Sequence, residues 1–384
     1  MEHHRNKKIR IVFTLIFGLL LVSAFIEWDG AAQTPQPQLQ PNHAFENANY
    51  VGSHKCIQCH SDKVHQPTTP MGRAAETAAD CQVLRSHPLL TFRSGPFSYK
   101  IERKGDQSIY SVTDGKETFS APILYGFGQG KFGQTYIFEH NGAFYESRVS
   151  FYNAIKGLDI TIGAYFDSPK TLEQAAGNRM NASDARNCFG CHSTAAATKS
   201  DLKIEKLITG ITCESCHGPG EKHIAAMGSG KFAEKHIYNP SGLETEEMSN
   251  FCGSCHRTWE QVVLIQQAMR RNGQEMGINS VRFQPYRIAN SKCYDMSDKR
   301  ISCTACHDPH RELETDPGFY DSKCTACHTS DEKLSQVGNR VAKLCPTGKQ
   351  KCVTCHMPST KLPGSHTTFN DHLIRVVRPG ESVW

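Results

Sequence analysis

The string Cys-x-x-Cys-His occurs seven times in this chain, and no other feature limits its possible folds so strongly. The copies are Cys56–Cys59–His60, Cys188–Cys191–His192, Cys213–Cys216–His217, Cys252–Cys255–His256, Cys303–Cys306–His307, Cys324–Cys327–His328 and Cys352–Cys355–His356. This spacing is the attachment pattern of c-type haem. Two thiols three residues apart lie on one side of a single turn and can form thioethers with the haem vinyl groups. The His that follows reaches the iron as its proximal ligand. The expected cofactor is therefore seven covalently bound haem c.

Other readings of Cys-x-x-Cys fit less well. A tetrahedral zinc site has no need of a His directly after the second Cys, and a thioredoxin-type redox pair normally occurs once. The motifs use 14 of the 17 cysteines, leaving Cys81, Cys293 and Cys345. The chain is thus not a disulfide scaffold. At most one intrachain bridge remains, and Cys293 with Cys345 is the expected pair because both lie in the motif-dense half.

The formal charge of +5 describes the apoprotein. Seven haems would add fourteen propionates, which scattered Lys and Arg could partner. Nothing in this distribution suggests a nucleic-acid surface.

Arg5, Lys7, Lys8 and Arg10 precede the apolar run 11–26, and Gly30-Ala31-Ala32 supplies small residues for cleavage. Residues 1–32 are therefore expected to be a signal peptide or an N-terminal membrane anchor. Either places the motifs in the periplasm or another extracytoplasmic space. A Gln/Pro-rich linker follows at 33–49, then a first haem segment at 50–91.

Between Cys81 and Cys188 no cysteine occurs. Alternating runs such as Phe97-Ser-Tyr-Lys-Ile-Glu and Gln134-Thr-Tyr-Ile-Phe-Glu are separated by the turn dipeptides Asp114-Gly115 and Asn141-Gly142. They predict an antiparallel β unit over 92–166, placed beside the first haem. The glycine-rich string 126–133 inside it reads as a turn-rich loop. Helical patches are expected at 172–177 and 258–269. Six motifs fall within the 169 residues from Cys188 to His356, too few to bury a conventional aliphatic core. The expected fold class is therefore a mainly α and irregular multihaem c-type cytochrome fold with a haem-packed core and a small antiparallel β unit. Residues 167–384 would form a six-haem cytochrome c domain.

Low-spin haems need a sixth ligand, usually His and sometimes Met. Ten of the 19 His remain once the seven proximal ones and His3 and His4 are set aside: 43, 54, 65, 87, 140, 223, 236, 310, 366 and 372. His223, His310, His366 and His372 lie in suggestive settings close to motifs or in the C-terminal segment. His65 is a further distal candidate, whereas His43 falls in the linker.

Several strings resemble multihaem cytochromes of the cytochrome c-554 family: Tyr50-Val-Gly-Ser-His-Lys-Cys56, Cys213-Glu-Ser-Cys-His-Gly-Pro-Gly220, Cys303-Thr-Ala-Cys-His-Asp-Pro-His310 and Cys352-Val-Thr-Cys-His-Met-Pro358. The resemblance spans roughly 50–378. It implies that His223, His310 and His372 are distal ligands and gives His87 a family setting. Where the family often has a His, some ten residues after its first motif, this chain has Thr69-Pro-Met71-Gly, which makes Met71 a candidate ligand.

The expected function is electron transfer through closely packed haems. The partners would be a membrane quinol-oxidising complex or other cytochromes, and the membrane would be met only through an uncleaved N-terminal anchor. The alternative is a multihaem oxidoreductase acting on a small nitrogen or sulfur compound at one open-coordinated haem. No catalytic residue is singled out, and no Cys-x-x-Cys-Lys motif occurs.

Overall fold

Strict alternation of apolar and polar residues makes the interval after the first motif a sheet. In the computed structural model, which describes residues 40–165 and 168–378, nine strands form one antiparallel sheet. They are β1 (Ala75–Thr77), β2 (Leu89–Ser94), β3 (Phe97–Lys104), β4 (Gln107–Thr113), β5 (Thr118–Phe127), β6 (Gln134–His140), β7 (Ala143–Tyr152), β8 (Gly157–Ile160) and β9 (Gly177–Arg179). The order runs β2 to β8 in sequence, with β1 paired to β5 and β9 to β7. The ends β2 and β8 approach each other, so the sheet nearly closes into a barrel. Register shifts at Ile123/Tyr125 and Thr135/Ile137 supply the local bends that closure needs.

The hairpins form where the sequence marks them. Asp114 Oδ1 accepts from the Lys116 and Glu117 N–H groups at 2.8 and 2.9 Å, turning β4 into β5. Asn141 and Gly142 take φ of 50° and 71°, the left-handed pair of a tight two-residue turn.

The inward residues form an aromatic core that needs no cofactor. Tyr99, Ile101, Tyr110, Val112, Phe138, Tyr145, Val149 and Phe151 pack together, each almost wholly buried. Phe138 lies between Tyr110 and Tyr145, with centroids 5.5 and 5.4 Å away. Each such ring contributes roughly 1.5–3 kcal/mol through burial. The Tyr110 hydroxyl donates to the Ala176 carbonyl at 2.9 Å, so this deep polar group is satisfied.

These observations correct the expected fold class. The fold is not mainly helical and haem-packed with a small β unit; its largest element is the barrel-like sheet. The physical reason is the motif-free interval, which is long enough to bury a core of its own. Each attachment motif needs only a turn or two of helix, so helices stay short. The sheet also does not sit beside the first haem segment alone. Phe127, Ile137, Met180, Ala185 and Phe189 pack it onto the helix Ala182–His192, which carries the second motif.

Elsewhere the chain is short helices and loops. The expected patches appear as Leu172–Ala176 and Trp259–Arg271. The second is started by Thr258, whose Oγ1 accepts from Gln261 N–H at 3.2 Å in a capping box. The apolar cluster of this half is small: Val281, Leu362 and Phe369, with Ile278 against them. Among the described residues no helix is long and apolar enough to cross a membrane. The segment 1–32, expected to direct export, lies outside the described residues, as do the first residues of the linker.

The three cysteines outside the motifs are free, so the expected Cys293–Cys345 bridge is not formed. Cys81 is buried and donates to Gln134 Oε1 at 3.1 Å. Cys293 lies among the thiols of the fifth and sixth motifs. Cys345 is held in its own loop beside Thr347 Oγ1 at 3.2 Å.

Candidate haem-binding sites

Every attachment motif winds into a helical turn. Motifs two and four end the helices Ala182–His192 and Thr245–His256, each started by a capping box. Motifs three and seven are themselves short helices, Cys213–His217 and Cys352–His356. In motifs one, five and six the His N–H reaches back to the first Cys carbonyl at 2.9, 3.0 and 3.0 Å. Both thiols and the proximal imidazole thus leave one turn together, as thioether attachment requires.

Three proximal histidines face a second His. The ring centroids of His60 and His223 are 6.4 Å apart with planes 22° from parallel. His217 and His310 are 6.2 Å apart at 21°, and His307 and His372 are 6.2 Å apart at 44°. A metal held by two imidazole nitrogens through bonds of about 2.0 Å each puts the ring centres about 6 Å apart. These three spacings fit that geometry, so the residues suit haem iron held by two His. Among the described residues no group of three or more His, Cys, Asp and Glu converges to cage a bare metal ion.

The rings are oriented by their other nitrogens. Nδ1 of His192, His217, His328 and His356 donates to the carbonyls of Ala74, Tyr238, Lys343 and Arg375 at 3.0, 2.9, 2.6 and 3.0 Å. His223 and His372 do the same to Lys235 and Asn370 at 2.6 and 3.1 Å. A carbonyl can only accept, so the proton is on Nδ1 and the Nε2 lone pair is free for iron. Burial reinforces this: it lowers the pKa of His192, His217, His256 and His307 and pushes His372 down to about 4. Burial thus favours the neutral form of these rings, the form able to bind a metal.

The remaining candidates are placed differently. His366 turns Nε2 to Asp159 Oδ2 at 2.8 Å and packs on Tyr152, against the barrel. His87 donates from Nδ1 to the Val83 carbonyl at 3.0 Å, and its ring centre lies 4.7 Å from that of Phe151. His65 is exposed at the start of a short 3-10 turn. Met71 is half-buried, and its carbonyl accepts from the Ala74 and Ile211 N–H groups. His192, instead of facing a second His, lies flat on Phe127 at 4.7 Å and 3°.

The motifs meet out of sequence order. Thiols of Cys56 and Cys213 lie close enough to interact, as do those of Cys191 with Cys255 and Cys252 with Cys303. Cys324 and Cys352 meet likewise, and Asp321 accepts from the Lys351 and Cys352 N–H groups at 2.7 and 2.8 Å. His310, just after motif five, faces His217 of motif three. Motif one therefore adjoins three, two adjoins four, four adjoins five, and six adjoins seven.

Two buried carboxylates escaped sequence reasoning. Glu214 lies inside motif three and accepts from the backbone of Val51, Gly52 and Gly220. Asp371, beside His372, accepts from Arg287 at 2.8 and 2.6 Å and from Arg375 at 2.8 Å. An acid between the two motif cysteines, where none of the other six motifs carries a charge, was the available signal for Glu214.

The attachment turns and facing imidazoles define a multihaem c-type cytochrome, a class whose haems transfer electrons. Residues 164–218, covering motifs two and three, match the family model described as cytochrome c554 and c-prime. The chain is 22% identical over 237 residues to the multiheme cytochrome MtrA of Shewanella baltica (strain OS185), an alignment covering 56% of this chain and 61% of that protein. It thus spans less than two thirds of that relative's length. No solved structure matches it.

Proposed function

We propose that this protein is an exported heptahaem electron carrier that passes electrons between redox partners on the far side of the cytoplasmic membrane. The observation that carries this reading is the set of motif contacts: one meets three, His217 of motif three faces His310 after motif five, and motif five lies near six, which meets seven. Bound haem c supplies a one-electron ferric/ferrous couple. The chain's own part is to aim Nε2 of the rings whose Nδ1 is bonded to a carbonyl and to bring attachment turns together. Nδ1–H···O=C bonds raise imidazole basicity and favour the ferric state. His223, His310 and His372 act as distal ligands, and His65, His87, His366 and Met71 stay candidates for the other haems.

The partners are other redox proteins: a quinol-oxidising membrane complex on one side and another cytochrome on the other. Likeness to a protein named as a multiheme cytochrome supports partners of that kind. Export is supported by the basic-then-apolar N-terminus. Mass spectrometry of the exported protein, joined to protein-film voltammetry, tests the reading. Seven haems and reversible, substrate-independent current are expected; fewer haems in fully matured protein would sink the heptahaem assignment.

A second reading, an oxidoreductase for a nitrogen or sulfur oxyanion, has one observation behind it. Arg257 lies near enough to Cys188 and Cys191 of motif two to act on both, with Glu146 and Arg282 alongside. Arg257 also holds a φ of 70°, a strained backbone for a side-chain-bearing residue. Catalytic current on adding nitrite or sulfite, lost in Arg257→Gln, would favour this reading over simple conduction.

A further inference from the structure

We propose that Glu214 is the positioning residue that sets the distance between the two histidines of the first haem. The proposal rests on the reading of His60 and His223 as that haem's axial pair.

Glu214 is 2% exposed and stands between Cys213 and Cys216. Its Oε1 accepts from Val51 N–H at 2.9 Å and Gly220 N–H at 2.8 Å. Its Oε2 accepts from Val51 N–H at 3.0 Å and Gly52 N–H at 2.7 Å. The donors belong to two separate segments. Val51 and Gly52 lead straight into the helix Ser53–Cys56, which begins the first attachment turn. Gly220 immediately precedes the helix Glu221–Gly228, which carries His223. One carboxylate therefore anchors the start of both elements that present the facing rings.

The surroundings leave little slack. Gly52 has φ +81°, and a Cβ on Gly220 would stand 3.0 Å from Val51 Cγ2 and 3.4 Å from Glu214 Oε1. Ser53 Oγ accepts from Cys213 N–H at 3.3 Å, and Asn49 Nδ2 donates to Glu221 Oε2 at 2.8 Å, closing the same seam from both sides.

The chemistry calls for an acid. Converging N–H groups need a partner that only accepts, and a carboxylate offers two oxygens with no donor. An amide turns one of those positions into NH₂, set against Val51 and either Gly52 or Gly220. Asp keeps both oxygens but is one methylene shorter, so it reaches one segment less well.

The test is EPR spectroscopy and potentiometric titration of the full-length exported holoprotein carrying Glu214→Gln, Glu214→Asp or His223→Ala, each checked for haem content. Glu214→Gln should shift or abolish one low-spin ferric signal, the same one lost in His223→Ala, and raise the potential of that haem alone. Glu214→Asp should move that signal part of the way. It decides the matter if the Gln variant does not take up its full haem complement. If His223→Ala removes a signal that both Glu214 variants leave untouched, the axial pair stands and Glu214 only packs, which overturns the proposal. If His223→Ala changes no signal, the pairing itself is wrong and the proposal falls with it.

Discussion

His307 and His372 hold their rings 6.2 Å apart, though one ends an attachment motif and the other lies close to the end of the described chain. The His372 ring is fixed from two sides: Nδ1 to the Asn370 carbonyl, and the neighbouring Asp371 carboxylate clamped by Arg287 and Arg375. The C-terminal segment thus brings an oriented imidazole to the fifth attachment motif. Asp371→Asn weakens the clamp. It should convert part of one low-spin signal to high spin, read by EPR of the ferric protein.

His310 is expected to serve the third haem, facing His217. Replacing it by Met keeps a ligand but exchanges imidazole for thioether, which raises the potential relative to two His ligands. A redox titration of His310→Met should show one potential moved upward. Unchanged potentials throughout would show that His310 does not bind iron.

On the proposed path the second haem is a side branch, because motif two adjoins motif four and lies off the line from one to seven. Changing Cys188 and Cys191 to Ser should lower the haem count from seven to six and leave electron flow between the two ends intact. The same change at Cys303 and Cys306 should also remove one haem but interrupt the path. Stopped-flow reduction followed at several haem absorbances distinguishes the two.

Phe138 is wholly buried in the barrel and far from any attachment turn in sequence. Phe138→Ala should cost about 3–5 kcal/mol of barrel stability. Haem content, measured as pyridine haemochrome, should stay at seven in the folded fraction, while thermal melts show the barrel unfolding earlier.

The Asp298–Arg300 pair gives a pH dependence of known sign. Hydrogen bonding from Arg300 lowers the Asp298 pKa, and Arg300 also donates to the carbonyls of Leu334 and Gln336, tying motif five to the loop after motif six. A depressed carboxylate pKa stabilises above the ordinary carboxylate range, and that contribution is lost as pH falls through the folded value. Melting temperature should therefore fall more steeply in the wild type than in Asp298→Asn as the pH drops below the ordinary carboxylate range, about pH 4.

The attachment turns were fully legible in the sequence, because thioether chemistry dictates residue type and spacing. The hairpins were legible from Asp114-Gly115 and Asn141-Gly142. The size of the sheet was not. Its three-residue strands β1 and β9 carry too short an alternation to register, and closure depends on bulges at Ile123 and Thr135 that leave no mark in composition. The sequence singled out His223, His310, His366 and His372 by their settings, and the fold turns three of these rings toward a motif His. His366 lies in the same C-terminal segment, and its Nε2 meets Asp159, far away in sequence. A partner that arrives through tertiary folding has no local signature.

Nδ1 of six histidines ends on main-chain oxygens, those of Ala74, Tyr238, Lys343, Arg375, Lys235 and Asn370. A carbonyl is present whatever side chain the position bears. As far as this fastening goes, the side chain at each of those positions can change, provided the path of the chain is kept. Evolutionary divergence in such a molecule can therefore run deep at the second layer without touching how the imidazoles are aimed.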